Sequence, residues 1–263
     1  MMANERDEEA GTGTLGKAMA VLETVALAER PMRFTDVLAV SGQPRGTLHR
    51  QLSHLVQEGL LELRPDHAYV PGLRLLKLAS ASWARNEFRA VAAPFLEALH
   101  RQTGETVHLG VLRGREIIYL DKVESRQAVR MNSQIGNASP VYCTGVGKAA
   151  LAALDAEALD AILSGLQLRR FTPQTITSRA ALLDELAQIR ASGIAFDREE
   201  HEPGIRCVAA PVFDAGRALV AGVSVTGPAY RVGEAQLDDW APRVRHAAGG
   251  IMAELSARLG PQR

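Results

Sequence analysis

The chain has 263 residues, of which 46% are hydrophobic and 23% charged, and its formal net charge is zero. That is an ordinary globular composition with room for two domains, and it excludes the low-complexity and strongly charged disordered classes. No run approaches the roughly eighteen uninterrupted apolar residues of a membrane span, and zero net charge means that any nucleic-acid surface must be local.

Residues 1–13 are polar and acidic, the opposite of a secretory signal, and read as a short disordered tail. Ala18, Val21, Leu22, Val25 and Ala26 then recur at helical spacing, until "RPMR" breaks the pattern. Thr35 is placed to cap a short helix running to Val40, with Gly42 just past its end. Pro44 stands where the next helix begins. That helix carries Leu48, Leu52, Leu55 and Val56 on one face and Gly46, Thr47, Arg50, Ser53, His54 and Gln57 on the other.

Two short extended runs around Pro65, Asp66 and His67 follow, as a hairpin. A helix pair alone would suit a small packing domain. Helix, helix-turn-helix and hairpin in this order predict a winged helix-turn-helix over 14–72 that binds double-stranded DNA. From Arg33 to Lys77 there are six Lys or Arg residues against four acids, and no acid lies between Arg45 and Gln57. Arg50 and Thr47 are expected to read base edges, and Arg45 and His49 to touch phosphates or flanking positions; Ser53 and His54 complete the set. Gly46 costs about 1 kcal/mol relative to alanine inside a helix. Either it lets backbone N–H groups approach a phosphate or it is drift at a frayed helix start.

Residues 73–88 predict a linker helix whose stripe of Leu73, Leu76, Ala79 and Trp83 serves dimerisation or packing within the chain. The remainder, 89–263, reads as one domain. A helix from Ala90 to Thr103 stops at Gly104. Strands "TVHLGVL" and "EIIYLDKV" flank the loop "RGR", and Val129 to Met131 is a third strand candidate. "GVGK" resembles the end of a phosphate-binding loop, but the first glycine position holds Tyr142 and the Ser/Thr position holds Ala149. Its glycines instead open a helix, and Lys148 has no assigned role.

Further helices are expected over "DAEALDAILSGL" and Ala180 to Ser192. Strands follow at Ile194–Asp197, Cys207–Phe213 and Ala218–Thr226. The closing helix carries Leu237, Trp240, Val244, Ala248, Ile251 and Leu255. Hairpin-linked strands with clustered helices predict an α+β domain on an antiparallel sheet.

Cys143 and Cys207 form no Cys-x-x-Cys pair, which fits a reducing cytoplasm where thiols pack as small apolar residues. An enzyme would have to use Glu199, Glu200, His201 and Glu202, yet no nucleophile–base–orienter set accompanies them, so no catalytic residue is assigned. A zinc site on Asp197, His201 and Cys207 lacks the close ligand pairs of zinc motifs, so no metal is expected. A sensing module that has lost DNA binding is a further alternative.

Four stretches, "PRGTLHRQLSHLVQEGLL", "IGNASPVYCTGVGKAALAAL", "FTPQTITSRAALLDELAQIRASGIAFDREEHEPGIRCVAAPVFD" and "VSVTGP", occur in this order. Together they resemble the IclR family of bacterial transcription regulators over nearly the whole length. The resemblance implies an amino-terminal winged helix-turn-helix and a carboxy-terminal GAF-like effector domain. It also implies a cytoplasmic homodimer or homotetramer on a palindromic operator, a repressor, a small carboxylate effector and no cofactor.

Carried over by position, the effector residues are Ala128 and Met131 in "AVRM", Gly145 and Val146, Asp197 and Cys207, and Ser224 and Thr226. Ala128 replaces a leucine and implies a roomier pocket; Thr226 replaces a serine and keeps the hydroxyl. "SPVYCTGVGKA" is similar to the sugar-acid branch, such as the 2-keto-3-deoxygluconate repressors. Taken singly, Cys207 and Met131 read as core and Asp197 as an exposed strand-end acid.

The chemistry agrees with these placements. A helix N-terminus favours a carboxylate, and Ser224 and Thr226 point to one face of a strand. Asp197, acceptor-only when ionised, would repel a second carboxylate and prefer a hydroxyl. This combination suits a hydroxy or keto acid, with an aromatic acid as the alternative.

Overall fold

The computed structural model of the protein describes residues 13–128 and 133–259. They form two compact units that divide after Arg85.

In the first unit the apolar positions of α1 (Gly13–Ala26), α2 (Phe34–Ser41) and α3 (Arg45–Gln57) close on one core. Its centre is Val21, Leu22, Val25, Val37, Leu48 and Leu52, side chains that each contribute about 1.5–3 kcal/mol when fully buried. β2 (Leu61–Leu63) and β3 (Ala68–Pro71) form the wing, and its turn carries His67 at φ 61. The "RPMR" break contains a strand of its own. β1 (Met32–Arg33) pairs antiparallel with β3, giving the sheet order β1-β3-β2. Thr35 is not the cap of α2. The helix begins one residue earlier, and Asp36 closes its start by accepting the Arg33 N–H at 2.8 Å. Gly42 ends it in the left-handed region at φ 62, where a side chain would be strained. α4 (Leu73–Ala84) follows the wing.

The second unit opens with α5 (Glu87–Thr103), three residues before the periodicity places it, because the Asn86 side chain caps it by accepting the Arg89 N–H at 2.8 Å. The linker helix therefore ends at Ala84, and residues 87 and 88 belong to α5. Six strands form an antiparallel sheet in the order β6-β5-β4-β9-β8-β7. They are β4 (Thr106–Arg113), β5 (Glu116–Val123), β6 (Ala138–Pro140), β7 (Ala195–Arg198), β8 (Ile205–Phe213) and β9 (Leu219–Pro228). The edge next to β5 is β6, with Ile117 opposite Ser139. The candidate strand Val129 to Met131 lies outside the described residues.

Alternation along the strands sends Val107, Leu109, Val208 and Val223 to one face, under α5 and α9 (Glu234–Leu259). Cys207 and Ala209 point to the other face, against α6 (Gly145–Ala153), α7 (Ala156–Ser164) and α8 (Arg179–Ser192). Every residue of α6 from Gly145 to Ala152 is buried. The helix lies that close because its first turn is glycine-rich. A Cβ on Gly145 would stand 2.7 Å from Cys207 Sγ, and one on Gly147 would stand 2.2 Å from the Val141 carbonyl oxygen.

Candidate effector cavity and DNA-contacting face

On α3, Leu48, Leu52 and Leu55 are buried while Arg45, Gly46, His49, Arg50 and His54 are exposed, with Thr47 and Ser53 half-buried. All seven residues assigned to DNA thus lie off the core side of one helix. Gln51, a polar residue, is buried among the leucines. Arg45 lies 5.2 Å from the centre of the Phe34 ring, which also contacts His49, so α2 helps to orient both side chains. A Cβ on Gly46 would meet nothing within 4 Å. Packing of the fold itself therefore has no need of a glycine there, an outcome that both backbone access and drift at the helix start accommodate.

In the second unit the strand and helix placements converge on a cavity of about 290 Å³. Gly145, Val146, Asp197, Cys207, Ser224 and Thr226 all line it. Ala128 is exposed on the segment after β5 and is not among its lining residues, because β5 ends at Val123 and the pairing edge is made by β6 instead. Met131 lies outside the described residues. The sequence reading missed His108, Tyr119, Asn137 and Thr144, which also line the cavity. Each of these lacks a local signature, although the period of β4 puts His108 on the same face as Thr106 and Gly110.

The floor is the start of α6. Thr144 caps it, its hydroxyl accepting the Gly147 N–H at 3.2 Å and donating to the Pro140 carbonyl at 2.8 Å. Gly145 and Val146 donate their N–H groups to no acceptor among the described residues. Two unengaged N–H groups at a helix N-terminus favour an anion.

Across the cavity, His108 Nε2 lies 2.7 Å from Ser133 Oγ, and its ring lies 4.8 Å from that of Tyr119. Burial, and then the Lys122 charge, push the imidazole down to about 3, so it is neutral at physiological pH. Burial pushes the Cys207 thiol up to about 12 and the Cys143 thiol up as well, which makes both packing residues rather than nucleophiles. His201, half-buried, also lines the cavity. Among the described residues, no group of three or more His, Cys, Asp or Glu is arranged to hold a metal ion.

Asp197 is not an exposed strand-end acid. Its side chain is buried, and burial, reinforced by the Glu200 charge, raises its carboxyl to about 7 against the Glu200 N–H bond and Lys148. The group is thus both acceptor and donor near neutral pH, whereas the reading from sequence considered only its ionised, acceptor-only form. No Lys or Arg is among the lining residues.

The family model for the IclR helix-turn-helix domain matches residues 14–65, and that for the bacterial transcriptional regulator IclR C-terminal domain matches residues 81–253. The chain belongs to the IclR family of bacterial transcriptional regulators. It is 35% identical over 240 residues to the HTH-type transcriptional regulator XynR of Escherichia coli K12, covering 91% of this chain and 95% of that one. With the regulator KdgR of the same organism it shares 34% over 245 residues, 91% of each chain.

Among solved structures, an IclR homologue from Microbacterium hydrocarbonoxydans complexed with 4-hydroxybenzoate superposes with a TM-score of 0.77 at 27% identity, covering 93% of this chain and 99% of that one. The fold is therefore the α+β architecture of this family: an amino-terminal helix-turn-helix domain and a carboxy-terminal antiparallel-sheet domain. Its members are DNA-binding regulators and not enzymes. Among the described residues no helix is long and apolar enough to cross a membrane.

Proposed function

We propose that this member of the family is a cytoplasmic repressor that binds a palindromic operator as a homodimer or homotetramer and is released by a small hydroxy or keto acid. One observation carries the effector half. The two unengaged N–H groups of α6 open a small cavity whose other polar side chains are hydroxyls, the Asn137 amide, the His108 and His201 imidazoles and the carboxyls of Asp197 and Glu202, with no Lys or Arg among them. Hydroxyls at Ser133, Ser139, Ser224 and Thr226 suit a polyhydroxylated or keto chain, as in the sugar-acid branch. The 4-hydroxybenzoate complex of the Microbacterium homologue and the Tyr119 and His108 rings support an aromatic acid as the second reading. No cofactor is required beyond the acid.

On DNA, α3 enters the major groove, with Arg50 and Thr47 on base edges and Arg45, His49, Ser53 and His54 on phosphates or flanks. Half-site centres then lie about 10 bp, or a multiple, apart. A thermal-shift screen over keto, sugar and aromatic acids, followed by operator release with the best hit, tests the pocket and its sign. Asp197→Ala or Ser224→Ala should abolish the acid-induced shift; an unchanged shift removes the cavity as the effector site. Arg50→Ala should weaken operator binding at fixed salt by about 1–3 kcal/mol and relax its selectivity. Intact selectivity in that variant would assign base reading elsewhere.

A further inference from the structure

Lys148 has no part in the readings above, yet its side chain is entirely buried. Its Nζ lies 2.6 Å from Glu200 Oε1 and 2.8 Å from Glu185 Oε1. A buried ammonium is costly unless carboxylates compensate it. It stands on a helix otherwise made of small and apolar residues, one turn beyond the free N–H groups of Gly145 and Val146.

The partner at its other end belongs to the cavity wall. The Glu200 N–H donates to Asp197 Oδ1 at 2.8 Å, and Glu200 Oε1 also accepts the Arg198 N–H at 3.5 Å. Between them Glu199 sits at φ 68, a conformation that a non-glycine residue holds only when its surroundings impose it. Thr172 Oγ1 donates to the Glu199 carbonyl and Thr175 Oγ1 to the Glu200 carbonyl, each at 2.6 Å. The strained turn 197–200 is thus tied to the "FTPQT" segment by hydroxyls and to α6 by one ion pair. Glu185 approaches the same ammonium from α8 and makes no hydrogen bond to the turn among the described residues, reaching it only through its charge near Glu200.

We propose that Lys148 is a positioning residue of the effector cavity: through Glu200 it holds the 197–200 turn, and with it the Asp197 carboxyl, in register with the start of α6. The proposal rests on the reading of this cavity as the acid site. The anion-facing N–H groups and the opposing carboxyl lie on separate elements. The Lys148–Glu200 pair fixes the gap between them, and so the length of acid that both can grip. Glu185 supplies the second counter-charge and anchors the ammonium to α8.

Lys148→Met would strand the buried Glu200 carboxylate and the half-buried Glu185, so the test uses Glu200→Gln against Glu185→Gln in the full-length protein. The substitution at Glu200 keeps Oε1, and the amide group takes the place of Oε2, which has no partner among the described residues; the charge is lost while the shape and the Oε1 acceptor stay, and two N–H donors are added at the Oε2 position. Hydrogen exchange over residues 197–202 is measured first without ligand. Thermal stabilisation by pyruvate, D-gluconate and 4-hydroxybenzoate is measured next.

Glu200→Gln should speed exchange in that segment and lose most of the stabilisation that the wild type gains from its best acid. Glu185→Gln should lower Tm while keeping both properties. Equal behaviour of the two variants, or a Glu200→Gln protein that responds to acid like the wild type, overturns the proposal and leaves Lys148 a stability element only. A wild type indifferent to all three acids, with the exchange difference intact, would show that the clamp exists but that the cavity is not the acid site. The positioning role would then fall with that reading.

Discussion

Asp197 concentrates the chemistry of the cavity in one carboxyl. Its folded value of about 7 lies above the ordinary 3.8 because burial penalises the ionised form. Between about pH 4 and pH 7 the native state keeps a proton that the unfolded chain releases, so this group lowers stability as pH rises through that window and the loss persists above it. Asp197→Asn keeps an oxygen for the Glu200 N–H and removes the ionisation. It should therefore be more stable than the wild type at about pH 8, by at most on the order of 4 kcal/mol, with the difference vanishing near about pH 4. Paired melting curves across that range check it; a pH-independent difference would mean that Asp197 is ionised throughout. His108, held down at about 3, works in the opposite direction: its stability contribution is lost as pH falls below about 6.5. Comparing the variant with the wild type cancels it. A variant more stable yet deaf to acid would show this residue trading stability for recognition.

At the scale of elements, the cavity exists because α6 lies directly on β8. The contact at Gly145 is set by sulfur, since an added Cβ would stand 2.7 Å from Cys207 Sγ. Gly145→Ala should accordingly destabilise the protein by about 1–3 kcal/mol, as overpacking does. Adding Cys207→Ala should recover most of that loss, because the obstructing atom is gone. Denaturant midpoints of the two single variants and the double variant give the coupling; simple additivity would mean that α6 does not rest on Cys207. Helices such as α1 and α3, 14 and 13 residues long, were legible from spacing and punctuation, since three full turns or more at helical period leave an unmistakable apolar stripe. β1 and β6, two and three residues long, were not: a period of two cannot be read in so short a run, and pairing with β3 and β5 is what makes them strands.

At the scale of the whole molecule, α4 carries an apolar face open to solvent among the described residues: Leu73 and Leu76, one turn apart, are 75% and 67% exposed, and no residue of the helix is buried. A helix with such a face suits an isologous seam between two copies. Leu76→Glu should therefore weaken self-association, seen as a lower weight-average mass at sedimentation equilibrium; an unchanged mass would move the seam elsewhere. The sequence by itself determined the two-part organisation, the solvent-facing side of α3 and six of the cavity residues, because helical period, strand alternation and ordered motifs are local properties. It could not decide that Ala128 stays outside the cavity, that Asp197 is buried enough to hold a proton near pH 7, or that Lys148 reaches Glu200 across 52 positions. Burial and charge compensation depend on which elements the sheet brings face to face. Only the packed tertiary structure settles that, since a side chain's desolvation and its partners do not exist until the chain has folded around it.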